Sequence, residues 1–244
     1  MFVANWKMNG SGAMVNKWIE GVDSSIPALI QSKCIFCPPS CFLYHASCLI
    51  EEQDLKISLG AQDIDPISET GLTGGISGLM LKELGCKYVI IGHSERRENY
   101  KEENSLLLKK ILAAASEKLK IIFCIGESLQ EKEAGETYNV LKHQLEITSK
   151  VANAKIIIAY EPVWAIGTQN SAEPAYVEEV HIKIREELKY LEIKDLLGVI
   201  YGGSVKMDSA KQILSLDNVD GLLLGRASLD ETEFSNIALK STTN

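Results

Sequence analysis

Lys155-Ile-Ile-Ile-Ala-Tyr-Glu-Pro-Val-Trp-Ala-Ile-Gly-Thr168 is the stretch on which the reading of this chain turns. A short β-branched apolar run places one carboxylate, Glu161, where the run stops. Pro162 follows, and a proline has no N–H with which to continue a strand inside a sheet. An apolar Val-Trp-Ala-Ile segment comes next, although loops normally face water. One reading is an acid or base under a hydrophobic lid that excludes water and raises its basicity. The other is a strand end capped by a solvated glutamate, with the loop packed on its neighbours. This stretch alone leaves both open.

Seven further runs share its character: Met1–Ala4, Cys34–Cys37, Ser58–Ala61, Tyr88–Ile91, Lys120–Ile125, Leu197–Tyr201 and Gly221–Leu224. Each is short, mostly apolar and bounded by Gly, Pro or Asn, as buried strands are. Helical periodicity lies between them. Asn104–Glu117 sets Leu107, Ile111, Leu112 and Ala115 on one face and leaves Lys109, Lys110 and Glu117 for the other. Tyr176–Leu191 repeats the pattern through Val177, Val180, Ile184, Leu188 and Leu191, after a Glu173-Pro174 helix start. Alternating strands and helices require parallel strands with crossover helices. Eight such units in 244 residues fit a closed (β/α)8 barrel occupying 1–244 as one domain. An open doubly wound sheet is the alternative, but its G-x-G-x-x-G fingerprint is missing, as is the G-x-x-x-x-G-K-[ST] phosphate loop.

A formal net charge of −8 argues against nucleic acid as a partner. No run approaches the roughly 20 apolar residues that span a bilayer, and Met1–Lys7 lacks a secretory h-region, so the expected compartment is the cytoplasm. Six cysteines in that reducing setting are expected as thiols. Cys34 and Cys37 point to opposite faces of one strand, and with Cys41 and Cys48 they match no zinc spacing. Neither a metal nor a cofactor is expected.

The functional signal is positional. Asn5 and Lys7 follow the first strand, Gln62 and Asp63 the third, and Gly92-His-Ser-Glu-Arg96 the fourth. Gly126-Glu127 follows the fifth, Glu161 the sixth, Gly202-Gly-Ser204 the seventh and Gly225-Arg226 the eighth. In a barrel all these points lie on the C-terminal face, where such folds carry their sites. The plain alternatives are a turn-forming Asn5, a solvated Lys7 and a solvated Glu95-Arg96-Arg97 run. Against them, Lys7 is a local cation in an acidic chain, and the run after His93 reads as support for that ring. His45, His143 and His181 fall in helical patterns and read as surface or packing residues. Gly-rich turns at two consecutive strand ends expose N–H groups suited to a phosphate. A base, an imidazole, a lysine, a phosphate cradle and an apolar lid suit proton abstraction beside a carbonyl, with Glu161 as base and His93 and Lys7 stabilising the enediolate oxygen. The remote phosphate supplies binding energy for closure, and the lid keeps the enediolate from bulk water.

Asn5-Trp-Lys-Met-Asn9, Gly92-His-Ser-Glu-Arg-Arg97, Ala159-Tyr-Glu-Pro-Val-Trp-Ala-Ile-Gly-Thr168 and Tyr201-Gly-Gly-Ser204 resemble the signature segments of the triosephosphate isomerase family, in that family's order and across the whole chain. The resemblance implies a homodimeric enzyme of glycolysis and gluconeogenesis interconverting dihydroxyacetone phosphate and D-glyceraldehyde 3-phosphate, without a cofactor. It implies Glu161 as base, neutral His93 as electrophile, Lys7 as substrate-binding cation beside Asn5, and Glu95 as partner carboxylate. It further implies Gly167, Ser204, Gly225 and the backbone of Arg226 at the phosphate, with loop 162–172 as the lid. Loop 62–75 would enter the neighbouring subunit, and Thr73 would support Asn5 and Lys7 there. Ile64, Ile67 and Leu72 in that loop are apolar residues a lone subunit would leave exposed. Three departures stand out: Gln169-Asn170 where the family has Gly-Lys, Arg226 where it has Gly, and Gly75 where it has Glu. A positive φ at Arg226 would be strained. Another phosphosugar-binding barrel enzyme, or a non-catalytic barrel scaffold, is the alternative.

Overall fold

A computed structural model describes residues 1–66, 72–151, 153–166, 172–205 and 207–240, without the side chain at 208. The strands are β1 (Phe2–Asn5), β2 (Cys34–Cys37), β3 (Ser58–Ala61), β4 (Cys86–Ile91), β5 (Lys120–Ile125), β6 (Ile156–Tyr160), β7 (Leu196–Tyr201) and β8 (Leu222–Leu224). The helices among the described residues are α1 (Gly12–Ser25), α2 (Ala28–Gln31), α3 (Leu43–Glu52), α4 (Gly78–Glu83), α5 (Ser94–Asn99), α6 (Asn104–Ser116), α7 (Leu129–Glu133), α8 (Thr137–Leu145), α9 (Pro174–Tyr190), α10 (Met207–Leu214) and α11 (Glu231–Leu239). All strand pairs are parallel and run in sequence order, and β8 closes on β1 through Phe2–Leu222, Val3–Leu223 and Ala4–Leu224. The closed (β/α)8 barrel expected from the alternation is the observed fold.

The period-2 alternation divides each strand between two cores. Val3, Ile35, Cys37, Ile90, Ile122, Cys124, Ile157, Ala159, Ile200 and Leu223 fill the barrel interior. Phe2, Phe36, Phe123, Ile156, Ile158, Tyr160 and Tyr201 instead face the helices. Cys34 and Cys37 fall on these opposite sides, as their spacing required. Two residues beyond the inward set come Asn5, Glu161, Gly202 and Gly225, which line the cavity at the barrel mouth.

Several boundaries and faces differ from the sequence reading. Strands β4 and β7 begin earlier, at Cys86 and Leu196, because Cys86 and Leu196 already pair with β3 and β6. In α6 the buried line is Leu107, Lys110, Ile111 and Ala114, whereas Leu112 is exposed. A residue one place beyond Ile111 is rotated about 100° away from it, so the two cannot share a narrow stripe. Lys110, placed on the solvent face by periodicity, is buried because acidic partners await it: Asp63 at 2.6 Å and Glu102 at 2.7 Å. Ile64 is also buried rather than exposed, packed in the main core, and it needs no partner subunit to cover it. Ile67 lies outside the described residues.

Candidate active site

The carboxylate of Glu161 is 2% exposed and both its oxygens are occupied. Its Oε1 lies 3.0 Å from His93 Nε2, and its Oε2 accepts the Ser94 N–H at 3.0 Å. Burial pushes this carboxyl up, but His93 and the Ser94 N–H overcome it and hold the group below its ordinary value. That corrects the expectation of raised basicity: in this arrangement the carboxylate is paired and its basicity is held down. Glycine is required around it. A Cβ on Gly126 would collide with the Glu161 carbonyl, and one on Gly202 would come within 2.9 Å of the Glu161 Cγ.

His93 caps α5, and its Nδ1 accepts the Glu95 N–H at 3.2 Å. With Nδ1 accepting, the proton of the neutral ring sits on Nε2 and points at Glu161. Burial disfavours a charged ring, yet the Glu161 carboxylate raises its basicity further, and the net direction in this pair is upward. Lys7 acts the opposite way. If Glu161 withdraws, burial and Lys7 both favour the neutral ring.

Lys7 adopts a left-handed backbone, φ 51°, which few non-glycine residues hold without support. Asn5 Oδ1 accepts the Lys7 N–H at 3.1 Å, and Gln62 Nε2 donates to the Lys7 carbonyl at 2.9 Å. The ammonium pairs with Glu95 at 2.6 Å. The Glu95-Arg96-Arg97 run therefore serves three tasks. Glu95 holds Lys7. Arg96 joins Asp63, Glu102 and Lys110 in an ion cluster beneath the loop that follows β3. Arg97 donates to the Gly92 and Cys124 carbonyls and so ties α5 to β4 and β5.

Asn5, Lys7, His93, Glu95, Glu161, Ser204, Gly225 and Arg226 all line one cavity of about 510 Å³, together with Ile166 from the apolar segment after Glu161. Arg226 opens a 3-10 turn, Arg226–Ser228, with no positive φ, so the strain envisaged there does not arise. Ser228 and Leu229 close this turn onto the Gly225 and Arg226 carbonyls, leaving the Arg226 and Ala227 N–H groups unused by it. The turn is well anchored: the indole N–H groups of Trp6 and Trp18 both donate to the Ser228 carbonyl, each at 2.9 Å. Gly167, Gln169 and Asn170 lie outside the described residues. Thr73 and Leu72 are exposed, away from the cavity lining. His45 is partly exposed and His143 exposed on helices, while His181 is buried in packing. Lys120 begins β5, at the end remote from the cavity, and donates to the Tyr88 hydroxyl.

The sequence places Glu127 among the polar strand ends but assigns it no role. It is completely buried and accepts from Tyr160 Oη, Tyr176 Oη and Trp164 Nε1 at 3.1, 3.1 and 2.8 Å. Burial outweighs these donors and pushes the carboxyl up. Trp164 is thus fixed at the start of the apolar segment, and the Lys132 ammonium stands 3.4 Å above its ring. A carboxylate at the end of β5, three residues of aromatic hydroxyl and indole elsewhere, was the available signal.

Comparison with known proteins follows the same line. A family model described as triosephosphate isomerase matches residues 1–241. A triosephosphate isomerase of Herminiimonas arsenicoxydans is 40% identical over 242 residues, 96% of either chain. One from Nitrosococcus oceani is 40% identical over 97% of this chain and 96% of its own. One from Nitratidesulfovibrio vulgaris strain DP4 is 38% identical over 98% of both.

Proposed function

The chain belongs to the triosephosphate isomerase family and is an intramolecular aldose–ketose isomerase of triose phosphates, and on that premise we propose how its residues divide the reaction. Glu161 is the base. It takes a proton from the carbon beside the carbonyl of dihydroxyacetone phosphate, and the electron pair moves to the carbonyl oxygen to give an enediolate. His93 Nε2–H and the Lys7 ammonium stabilise that oxygen, with Asn5 and Glu95 holding Lys7 in place. A proton passes through His93 Nε2 from the neighbouring hydroxyl to that oxygen, and return of the first proton from Glu161 to the former carbonyl carbon yields D-glyceraldehyde 3-phosphate. Gly167, Ser204, Gly225 and Arg226 receive the phosphate, and loop 162–172 covers it.

The observation that carries this reading is the contact between Glu161 and His93 at the wall of the cavity that Lys7 lines. Because both Glu161 oxygens are taken, the carboxylate must leave His93 and Ser94 before it can reach a substrate carbon. Leaving them removes the His93 and Ser94 influences that lower its pKa and keeps burial, which raises it, against Lys7. The same movement frees Nε2–H of His93 to donate to the substrate oxygen. Base and electrophile are therefore activated by one displacement. Glu161→Gln, which keeps the shape and loses the base, should cost at least roughly 10²–10⁴-fold in turnover while circular dichroism stays native. Turnover like the wild type would refute the assignment.

We also infer one domain over 1–244, a cytoplasmic setting and a homodimer formed through loop 62–75. Met8, Tyr44, Leu72, Leu79, Met80 and Tyr100 are exposed apolar side chains on the connections that follow β1 to β4. Exposed apolar side chains of this kind are what a partner surface would cover. With Ile64 buried, Leu72 and Thr73 are the described tip of the loop that would cross. A subunit mass unchanged across protein concentration in light scattering would overturn the dimer.

A further inference from the structure

Two cations and three carboxylates line the active-site cavity among the described residues. The cations are Lys7 and Arg226, and the carboxylates are Glu95, Glu161 and Glu233. Lys7 is committed to Glu95 at 2.6 Å. Arg226 is exposed and has neither an ion pair nor a side-chain hydrogen bond among the described residues. The lining is thus acidic overall, in a chain of net charge −8, while the substrate of this family carries a phosphate dianion. Backbone N–H groups alone would have to hold that dianion against the surrounding carboxylates.

We propose that the Arg226 guanidinium is a phosphate-binding side chain of this enzyme, a charged clamp added to the backbone turn that carries it. The inference rests on the isomerase reading and deepens it. Three features of the site support it. Arg226 belongs to the turn after β8 that forms one wall of the cavity, beside Gly203 and Ser204 of the turn after β7. The turn is a rigid base, because Trp6 and Trp18 both bond the Ser228 carbonyl and the Ser228 hydroxyl bonds the Gly225 carbonyl at 2.7 Å. None of its residues takes a positive φ, so Arg226 carries no left-handed strain there. A guanidinium offers two parallel N–H donors that match phosphate oxygens, stays charged at any working pH and is weakly hydrated.

A consequence concerns how the site divides its cations. Lys7, tied to Glu95 and aimed beside His93, serves the reacting end of the substrate. Arg226 serves the other end, so the non-reacting group is gripped by its own charge. Binding energy at a remote phosphate is what an enzyme of this kind uses to orient the reacting carbons.

The test compares the wild type with Arg226→Gln and Arg226→Lys, using D-glyceraldehyde 3-phosphate and the unphosphorylated D-glyceraldehyde as substrates and 2-phosphoglycolate as inhibitor. Losing a charge-assisted bidentate contact should weaken 2-phosphoglycolate binding and raise KM for the phosphorylated substrate by about ten- to a hundredfold. The preference for phosphorylated over unphosphorylated substrate should fall by the same factor, and Arg226→Lys should recover part of it. The dependence of KM on ionic strength should flatten in Arg226→Gln, because one screened attraction is gone. An equal loss on both substrates would show a structural role and overturn the proposal, as would unaltered 2-phosphoglycolate affinity. Isomerase activity absent from the wild type itself would instead refute the reading of the function, so the two failures are distinct.

Discussion

Acid should destabilise this fold through one ring remote from the reaction. His181 on α9 is completely buried, with Nδ1 3.0 Å from the Asn218 carbonyl and its edge against Tyr160 at 5.9 Å. A carbonyl only accepts, so Nδ1 carries the proton. Nε2 has no partner, and protonating it would place a charge with nothing to receive its hydrogen. Burial lowers the pKa of the ring to about 4, the Asn218 carbonyl opposes that, and Arg185 adds to it, with Glu178 and Asp220 pulling upward. The folded value lies below the unfolded one near 6.5, so between these values the unfolded chain binds a proton that the folded chain refuses. Stability is therefore complete above pH 6.5 and declines as pH falls toward 4. At about 1.36 kcal/mol for each tenfold, the gap is worth about 3 kcal/mol in full, of which about 2 kcal/mol is lost between pH 7 and pH 5. That is a large part of a total stability of roughly 5–15 kcal/mol. His93 has the opposite sign, since its raised folded value stabilises at low pH and is lost as pH rises through it. Glu161 and Glu102, held low, lose their contribution only below the ordinary carboxylate range. Urea unfolding followed by circular dichroism at pH 7 and pH 5, at one fixed protein concentration, measures the difference. The His181→Gln variant should lose most of the pH dependence in that window. An identical dependence in variant and wild type would refute the account.

Two more outcomes follow from the geometry. Gly126→Ala drives a Cβ into the Glu161 carbonyl, so the backbone carrying the base must shift; kcat should fall by about a hundredfold, the scale of a misplaced catalytic group, with a cooperative melt retained. Lys110→Met leaves Glu102 buried beside Arg96 and Asp63 without its ammonium. Breaking a buried pair of this kind costs about 3–5 kcal/mol, which a shift of the urea midpoint will show.

The strands were legible because buried parallel strands are nearly continuous apolar runs, and each run was located to within two residues. The site was legible for a related reason. Alternation carries one step past the last inward apolar residue, and that step lands on Asn5, Glu161, Gly202 or Gly225. What stayed hidden depends on contacts that no local period records. Trp6 and Trp18 lie 222 and 210 residues from the Ser228 carbonyl they share. Glu127 finds its three donors 33, 37 and 49 residues away. Lys110 looked like a solvent-facing charge because periodicity reports which face a residue takes and not what waits there. Ile64 failed for the converse reason, since its loop folds back onto the main core.

The opening alternative, a covered base or a capped strand end, dissolves on the same ground. Glu161 is both. It ends its strand, and it is capped by a backbone N–H and an imidazole. The capping partners are what make it usable as a base, because they are removable while the burial is not. A carboxylate that was only buried would be raised permanently and would sit protonated at times when the enzyme is empty. A carboxylate that was only paired would be too weak a base to take a proton from carbon. Pairing at rest and burial throughout give a charged group that gains basicity as it moves. Gly202 leaves space beside the side chain that has to move, since a Cβ there would come within 2.9 Å of the Glu161 Cγ. Pro162 follows Glu161 directly, and Trp164, two residues further on, is held by Glu127.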